Sequence, residues 1–179
     1  HDVSSYSLVN YAGWLDGVDG SPTSAVGTTA TAALTNSSYT SVTYYESTDT
    51  AVYIEVTDAD LNTATSTADT ASVSLTTDTE TASSVTESVT VTETGADTGI
   101  FRGSIPLSVG ASAGSDGTLA ASVGDTVTLT YGDAANDWGA SVTVTDTATV
   151  VGTVVVGTIG NVTWTTSASP YLIIGDVTV

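Results

Sequence analysis

The sequence predicts an all-β fold, and three observations carry that expectation. Thr occupies 37 of 179 positions, and Val and Ala dominate the apolar residues, with no Met and a single Phe. Val and Thr are β-branched, and branched side chains pack well on a pleated surface. Apolar and polar residues alternate with period two: Val52, Ile54 and Val56 fall on one face of a strand, Tyr53 and Glu55 on the other. No stretch sustains a helical period, whereas turn residues recur at short, regular intervals, the pattern of a sandwich.

Residues 6–12 read as a first strand and residues 14–25 as a turn-rich loop holding Gly17, Gly20 and Pro22. Residues 28–34 form a weak strand, and 41–46 and 51–57 stronger ones. An acidic loop from Asp58 to Asn62 precedes residues 71–77, where Val73 and Leu75 face inward. Val85, Val89 and Val91 mark a strand at 85–92, with an irregularity between the first two. A turn at 93–99 leads to a strand at 100–107, in which Pro106 has no N–H for a ladder and suits an edge. Beyond a small-residue loop at 110–117, Val127, Leu129 and Tyr131 alternate with Thr126, Thr128 and Thr130. A second acidic loop at 132–138 is followed by strands at 141–145, 148–156, 161–165 and 171–179.

Charge narrows the function. Against 20 Asp and Glu stands one Arg, Arg102, and no Lys, for a net charge of -19. Nothing neutralises phosphates, so nucleic acid is excluded as a partner, and anionic membrane surfaces with it. No apolar run reaches membrane-spanning length, so membrane insertion is not expected. Charged residues make up only 12% of the chain, which leaves a surface mainly of Thr, Ser, Ala and Gly. The absence of Cys removes disulfides, thiolate metal sites and Cys nucleophiles. The missing Lys removes a Lys–Asn isopeptide staple. A single His, His1, supports neither a Ser-His-Asp triad nor a His-based zinc site. Among so many acids some pair falls at a glycosidase separation by chance, but three dispersed Trp residues suggest no cleft. The chain reads as a non-enzyme, with no catalytic residue assigned.

The acidic loops are the candidate metal ligands. Asp58, Asp60, Asn62 and Asp69 crowd one loop, and Asp133, Asn136 and Asp137 another. Ca²⁺ takes six to eight oxygen ligands, which alternating carboxylates on a turn supply. The first loop starts like an EF-hand, but Thr63 stands where that motif needs Gly and Asp69 where it needs Glu. Were both loops at one end of the fold, they would share an ion, with Asp97 joining from its turn. The competing reading of each cluster is an Asx-capped turn with solvated carboxylates.

Three stretches carry a family resemblance: AVYIEVTDADLN at 51–62, ETGADTGIFRG at 93–103 and GDTVTLTYGD at 124–133. Over roughly residues 45–151 the chain resembles a bacterial immunoglobulin-like repeat of large secreted and surface-anchored proteins. The resemblance implies an immunoglobulin-like antiparallel β-sandwich, with acidic loops at one end and a structural use. The expected organisation is an N-terminal segment at 1–45, the sandwich at 46–150 and C-terminal strands at 151–179, with extra strands at both ends.

Tyr171, Leu172, Ile173 and Ile174 form an apolar run in the last segment. It either pairs within its own domain or is donated to the sheet of a neighbouring subunit. Head-to-tail donation does not close and makes a filament. The strand around Tyr6 to Val9 competes as donor. The first expectation is therefore a structural subunit or module of an extracellular filament or cell-surface fibre, a homopolymer stabilised by calcium. The alternative is an adhesin-type module that recognises a glycan or host protein through its loops, for which Trp14, Trp138, Trp164 and the Tyr residues are the aromatic resources. The start at His1-Asp2-Val3, without Met, matches a chain exposed by signal-peptide cleavage, or a fragment. Asn36 and Asn161 begin Asn-X-Ser/Thr sequons.

Overall fold

A computed structural model describes residues 27–166 and 169–178 of the chain. The strand expected at 6–12 and the loop at 14–25 lie outside the described residues.

The alternation seen in the sequence becomes strands. β1 (Thr31–Thr35), β2 (Tyr44–Glu46), β3 (Ala51–Thr57) and β4 (Thr70–Thr76) precede a five-residue helix, α1 (Asp78–Ala82). β5 (Glu87–Glu93), β6 (Ile100–Val109), β7 (Leu119–Ala121), β8 (Thr126–Asp133), β9 (Val142–Val151), β10 (Thr153–Thr158) and β11 (Tyr171–Thr178) follow. In β3 the inward residues Val52, Ile54 and Val56 are buried, and in β8 Val127, Leu129 and Tyr131 are.

β1 to β9 form one mixed sheet in the order β1-β3-β6-β5-β4-β8-β9-β2, with β7 added to β6. The sheet curls on itself, and the core lies inside the curl, around Leu34, Ile54, Leu75, Phe101, Leu119 and Leu129. Burial of this apolar surface is the main favourable contribution to folding. The corner is made by β6. It pairs with β3 from Ile100 to Pro106 but with β5 only at Phe101 and Arg102. Past that point β6 has left β5, and Pro106, exposed, needs no ladder donor on that side. Leu107 to Val109 then pair with β7.

All-β character is as expected, but the sheet is not purely antiparallel: β2–β9, β6–β7 and β10–β11 run parallel. Parallel neighbours need a crossover, and the loop at 110–118 provides one between β6 and β7. β1 and β2 sit within the main sheet. α1 was not expected. Its N-cap is Thr77, whose hydroxyl oxygen accepts the Glu80 N–H at 3.1 Å, and five residues are too few to show a helical period. Residues 141–151 form the single strand β9 from Val142 onward, because Asp146 keeps register opposite Leu129. Residues 161–165 are not a strand. The Val85 irregularity has a simple cause: β5 begins only at Glu87, and Val85 lies in the preceding turn.

Phe101 is the largest fully buried side chain, and its strand joins both halves of the curl. Phe101→Ala is expected to lower the unfolding free energy by about 3–5 kcal/mol, read from urea denaturation followed by Trp fluorescence.

Candidate functional site

The curled sheet brings the edge strand β1 back toward β8 and β9, and carboxylates bridge the gap. Donors on four residues, three of them just before β1 and one within it, find acidic partners. The N–H and hydroxyl of Thr28 both donate to Asp60 at 2.6 Å. Thr29 N–H donates to Asp137 at 3.0 Å, Ala30 N–H to Asp133 at 2.9 Å, and Leu34 N–H to Asp146 at 2.7 Å. An edge strand exposes unpaired N–H groups that invite a foreign strand. Here aspartates on β8, β9 and their loops occupy several of them.

The two acidic loops do lie at the same end of the sheet, after β3 and after β8, together with the β5–β6 turn. Asp58, buried, accepts the Tyr131 hydroxyl at 2.6 Å and caps the loop through the N–H groups of Asp60 and Leu61. Asp69 accepts the N–H groups of Thr63 and Ala64. The Asn62 amide donates to Asp97 at 3.0 Å, linking the loop to the β5–β6 turn. Asp133 also accepts Ala135 N–H, and the side-chain oxygen of Asn136 accepts the N–H groups of Trp138 and Ala140. Every residue expected to ligate calcium is thus found at this end; the side-chain oxygens of seven accept N–H or O–H groups of the protein, whereas the buried Oδ1 of Asn62 has no hydrogen-bond partner. Among the described residues no three Asp, Glu or His side chains are disposed to hold a metal ion. A small cavity of about 350 Å³ lies between Asp58, Asp60, Leu61 and Tyr131.

Sequence reasoning missed the buried glutamates. Glu80, on α1, accepts Ala120 N–H at 2.8 Å and the Ser112 hydroxyl. Glu87 accepts the N–H groups of Asp116 and Gly117. Glu93 accepts Gly99 N–H at 2.7 Å, Asp69 N–H at 3.1 Å and both the N–H and hydroxyl of Thr98. The signal was present: Glu87 and Glu93 continue the inward phase of Val89 and Val91. A buried carboxylate is costly unless hydrogen bonded, and these three satisfy the loops that close over the core.

The donors shift the acids. Burial works against the charge of Glu93, but the amides of Asp69, Gly99 and Thr98 outweigh it and hold its carboxyl below the ordinary range. Asp125 behaves alike, with burial opposed by donors from Thr79 and Ser122. The hydroxyl and N–H of Thr28 lower Asp60. Burial, then the neighbouring Asp58, pushes the Tyr131 hydroxyl upward.

β9 continues past Gly152 into β10, which pairs in parallel with β11 as a separate two-stranded ribbon. It leaves the main sheet at the end opposite the acidic loops. Val155 is buried, but Val156 is 62% and Ile173 54% exposed, with Ile174 also exposed. Trp164 stacks on Tyr171, centroids 4.6 Å apart, and the Tyr171 hydroxyl bonds to the Thr165 backbone. The expected donor strand 171–174 therefore pairs with its own chain on one edge. No further strand joins the ribbon among the described residues. Arg102 forms an ion pair with Glu55 at 2.7 Å on the outer face, under the Tyr39 ring.

Glu93, Asp60 and Asp125 have folded-state pKa values below their unfolded ones. As pH falls, the unfolded chain takes up protons first, so stability is present above the ordinary carboxylate range and lost as pH drops through it. Between neutral pH and about pH 3 the denaturation midpoint is expected to fall. Glu93→Gln should be less stable at neutral pH and show a shallower acid decline; an unchanged slope would remove Glu93 from this account.

No known protein family matches the chain, and no curated protein matches it.

Proposed function

We propose that this chain is a structural module of an extracellular filament or cell-surface fibre, joined to its neighbour by β-strand addition at the β10–β11 ribbon. One observation carries the reading. A two-stranded ribbon is marginal alone in water, and parallel strands are normally covered on both faces. This one has two outer edges without a strand among the described residues and leaves Val156, Ile173 and Ile174 in solvent. An added strand satisfies those edges through main-chain hydrogen bonds and buries the apolar side chains. Asp146, seated on the Leu34 N–H, obstructs the β1 edge by contrast. Because the ribbon and the acidic loops occupy opposite ends of the sheet, contact between unlike ends propagates in one direction and does not close.

A second reading has its own support. Trp138 is 88% exposed at the tip of the β8–β9 loop, where an aromatic ring suits a sugar face or a protein partner. An adhesin would lose retention on its ligand with Trp138→Ala, whereas a fibre would not lose assembly.

Purified protein is expected to form fibres visible by negative-stain electron microscopy. Val156→Asp together with Ile173→Asp should abolish them while moving the unfolding free energy by about 0.5 kcal/mol or less per site. Fibres that persist in the double variant would exclude the ribbon as the joint.

A further inference from the structure

We propose that Asn36 is a covalent attachment site for an N-linked glycan, held ready by the turn that joins β1 to β2. Asn36, Ser37 and Ser38 form an acceptor sequon, and all three are exposed. The side-chain oxygen Oδ1 of Asn36 accepts Ser38 N–H at 2.9 Å and Thr40 N–H at 3.2 Å. Main-chain bonds at 2.9 Å from Asn36 N–H to Thr40 and from Tyr39 N–H to Asn36 close the turn, and Tyr39 adopts φ 58° to complete it. Tyr39 is anchored by its edge contact with Tyr53 and by the guanidinium of Arg102, 4.1 Å from its ring.

This geometry bears on reactivity. An amide nitrogen is a weak nucleophile because its lone pair is delocalised onto oxygen. Two donors on Oδ1 stabilise negative charge there and ease loss of a proton from Nδ2, which makes no hydrogen bond among the described residues. In the transfer, Nδ2 bonds to the anomeric carbon of a lipid-pyrophosphate-linked oligosaccharide. The carbon–oxygen bond to pyrophosphate breaks, that oxygen keeps the electron pair, and the Nδ2 proton passes to a base on the transferase. Asn36 also lines a cavity of about 580 Å³ with Tyr44, Glu46, Asp49 and Tyr53, within the roughly 300–1,000 Å³ of small-ligand sites. Its hydroxyls, ring faces and acceptor carboxylates suit a neutral sugar and repel an anionic one, so the first sugars have a seat beside their attachment point. The other sequon, at Asn161, is exposed but has no such turn.

The proposal rests on the extracellular reading, and the test separates the two. Chain isolated from its natural source is digested and mapped by mass spectrometry, and unglycosylated folded chain is incubated with an oligosaccharyltransferase and a lipid-linked oligosaccharide. A glycopeptide at Asn36 in natural material, lost in Asn36→Gln, is the expected result. Asn36 bare in both arms, or modification confined to Asn161, overturns the site. Asn36 bare in natural material but modified in vitro overturns the proposal through the location on which it rests.

Discussion

The structure depends on hydrogen bonds from backbone N–H groups to carboxylates. A chain with 20 acids, one Arg and no Lys cannot neutralise its charges by ion pairing, and just one acidic residue, Glu55, has Arg102 as partner among the described residues. Main-chain amides take the place of cations. An ionised acceptor makes a hydrogen bond roughly twice as strong as a neutral one, and each of the buried carboxylates receives at least two. Asp58, Glu80, Glu87, Glu93 and Asp133 are buried on these terms, and between them they hold the loops at both ends of the sheet. The same bond closes the curl, since Asp133 reaches the N–H of Ala30, just before β1, and Asp146 that of Leu34 within it.

Much of the fold was legible. Period-two alternation located β3, β4 and β8 and their inward residues, because one face of each is buried and the pattern is therefore strict. Where both faces are partly exposed the pattern weakens: Asp146 interrupts it inside β9, and residues 161–165 carry it without forming a strand. α1 escaped because a single helical turn has no period to detect. The parallel pairings could not be read at all, since they arise from loops crossing the ends of the sheet.

The positions of the acidic residues were legible, and the structure adds what four of them anchor. Asp58 follows Val56 by two residues, Asp133 follows Tyr131 by two, and Glu87 and Glu93 flank Val89 and Val91 in phase. All four stand at a strand end on the inward row. A carboxylate there faces the closing loop from beneath, where the free N–H groups of a turn need an acceptor. The phase of these residues along the strand points to loop anchoring. The two ends of the molecule differ accordingly, one finished with anchored loops, the other extended into a ribbon of Val and Ile.

The loops are gripped through their main chain, and that has an evolutionary meaning. At Ala64 and Asp116, outside the core, the acid takes hold of a main-chain N–H alone, which nineteen of the twenty amino acids supply and proline alone lacks. Substitution at these two positions leaves that grip in place, whereas at Ala30 and Ala120, both buried, and at Gly117, with φ 82°, the side chain is constrained as well. Anchoring of this kind lets the sequence of an exposed loop change while the architecture beneath it stays the same.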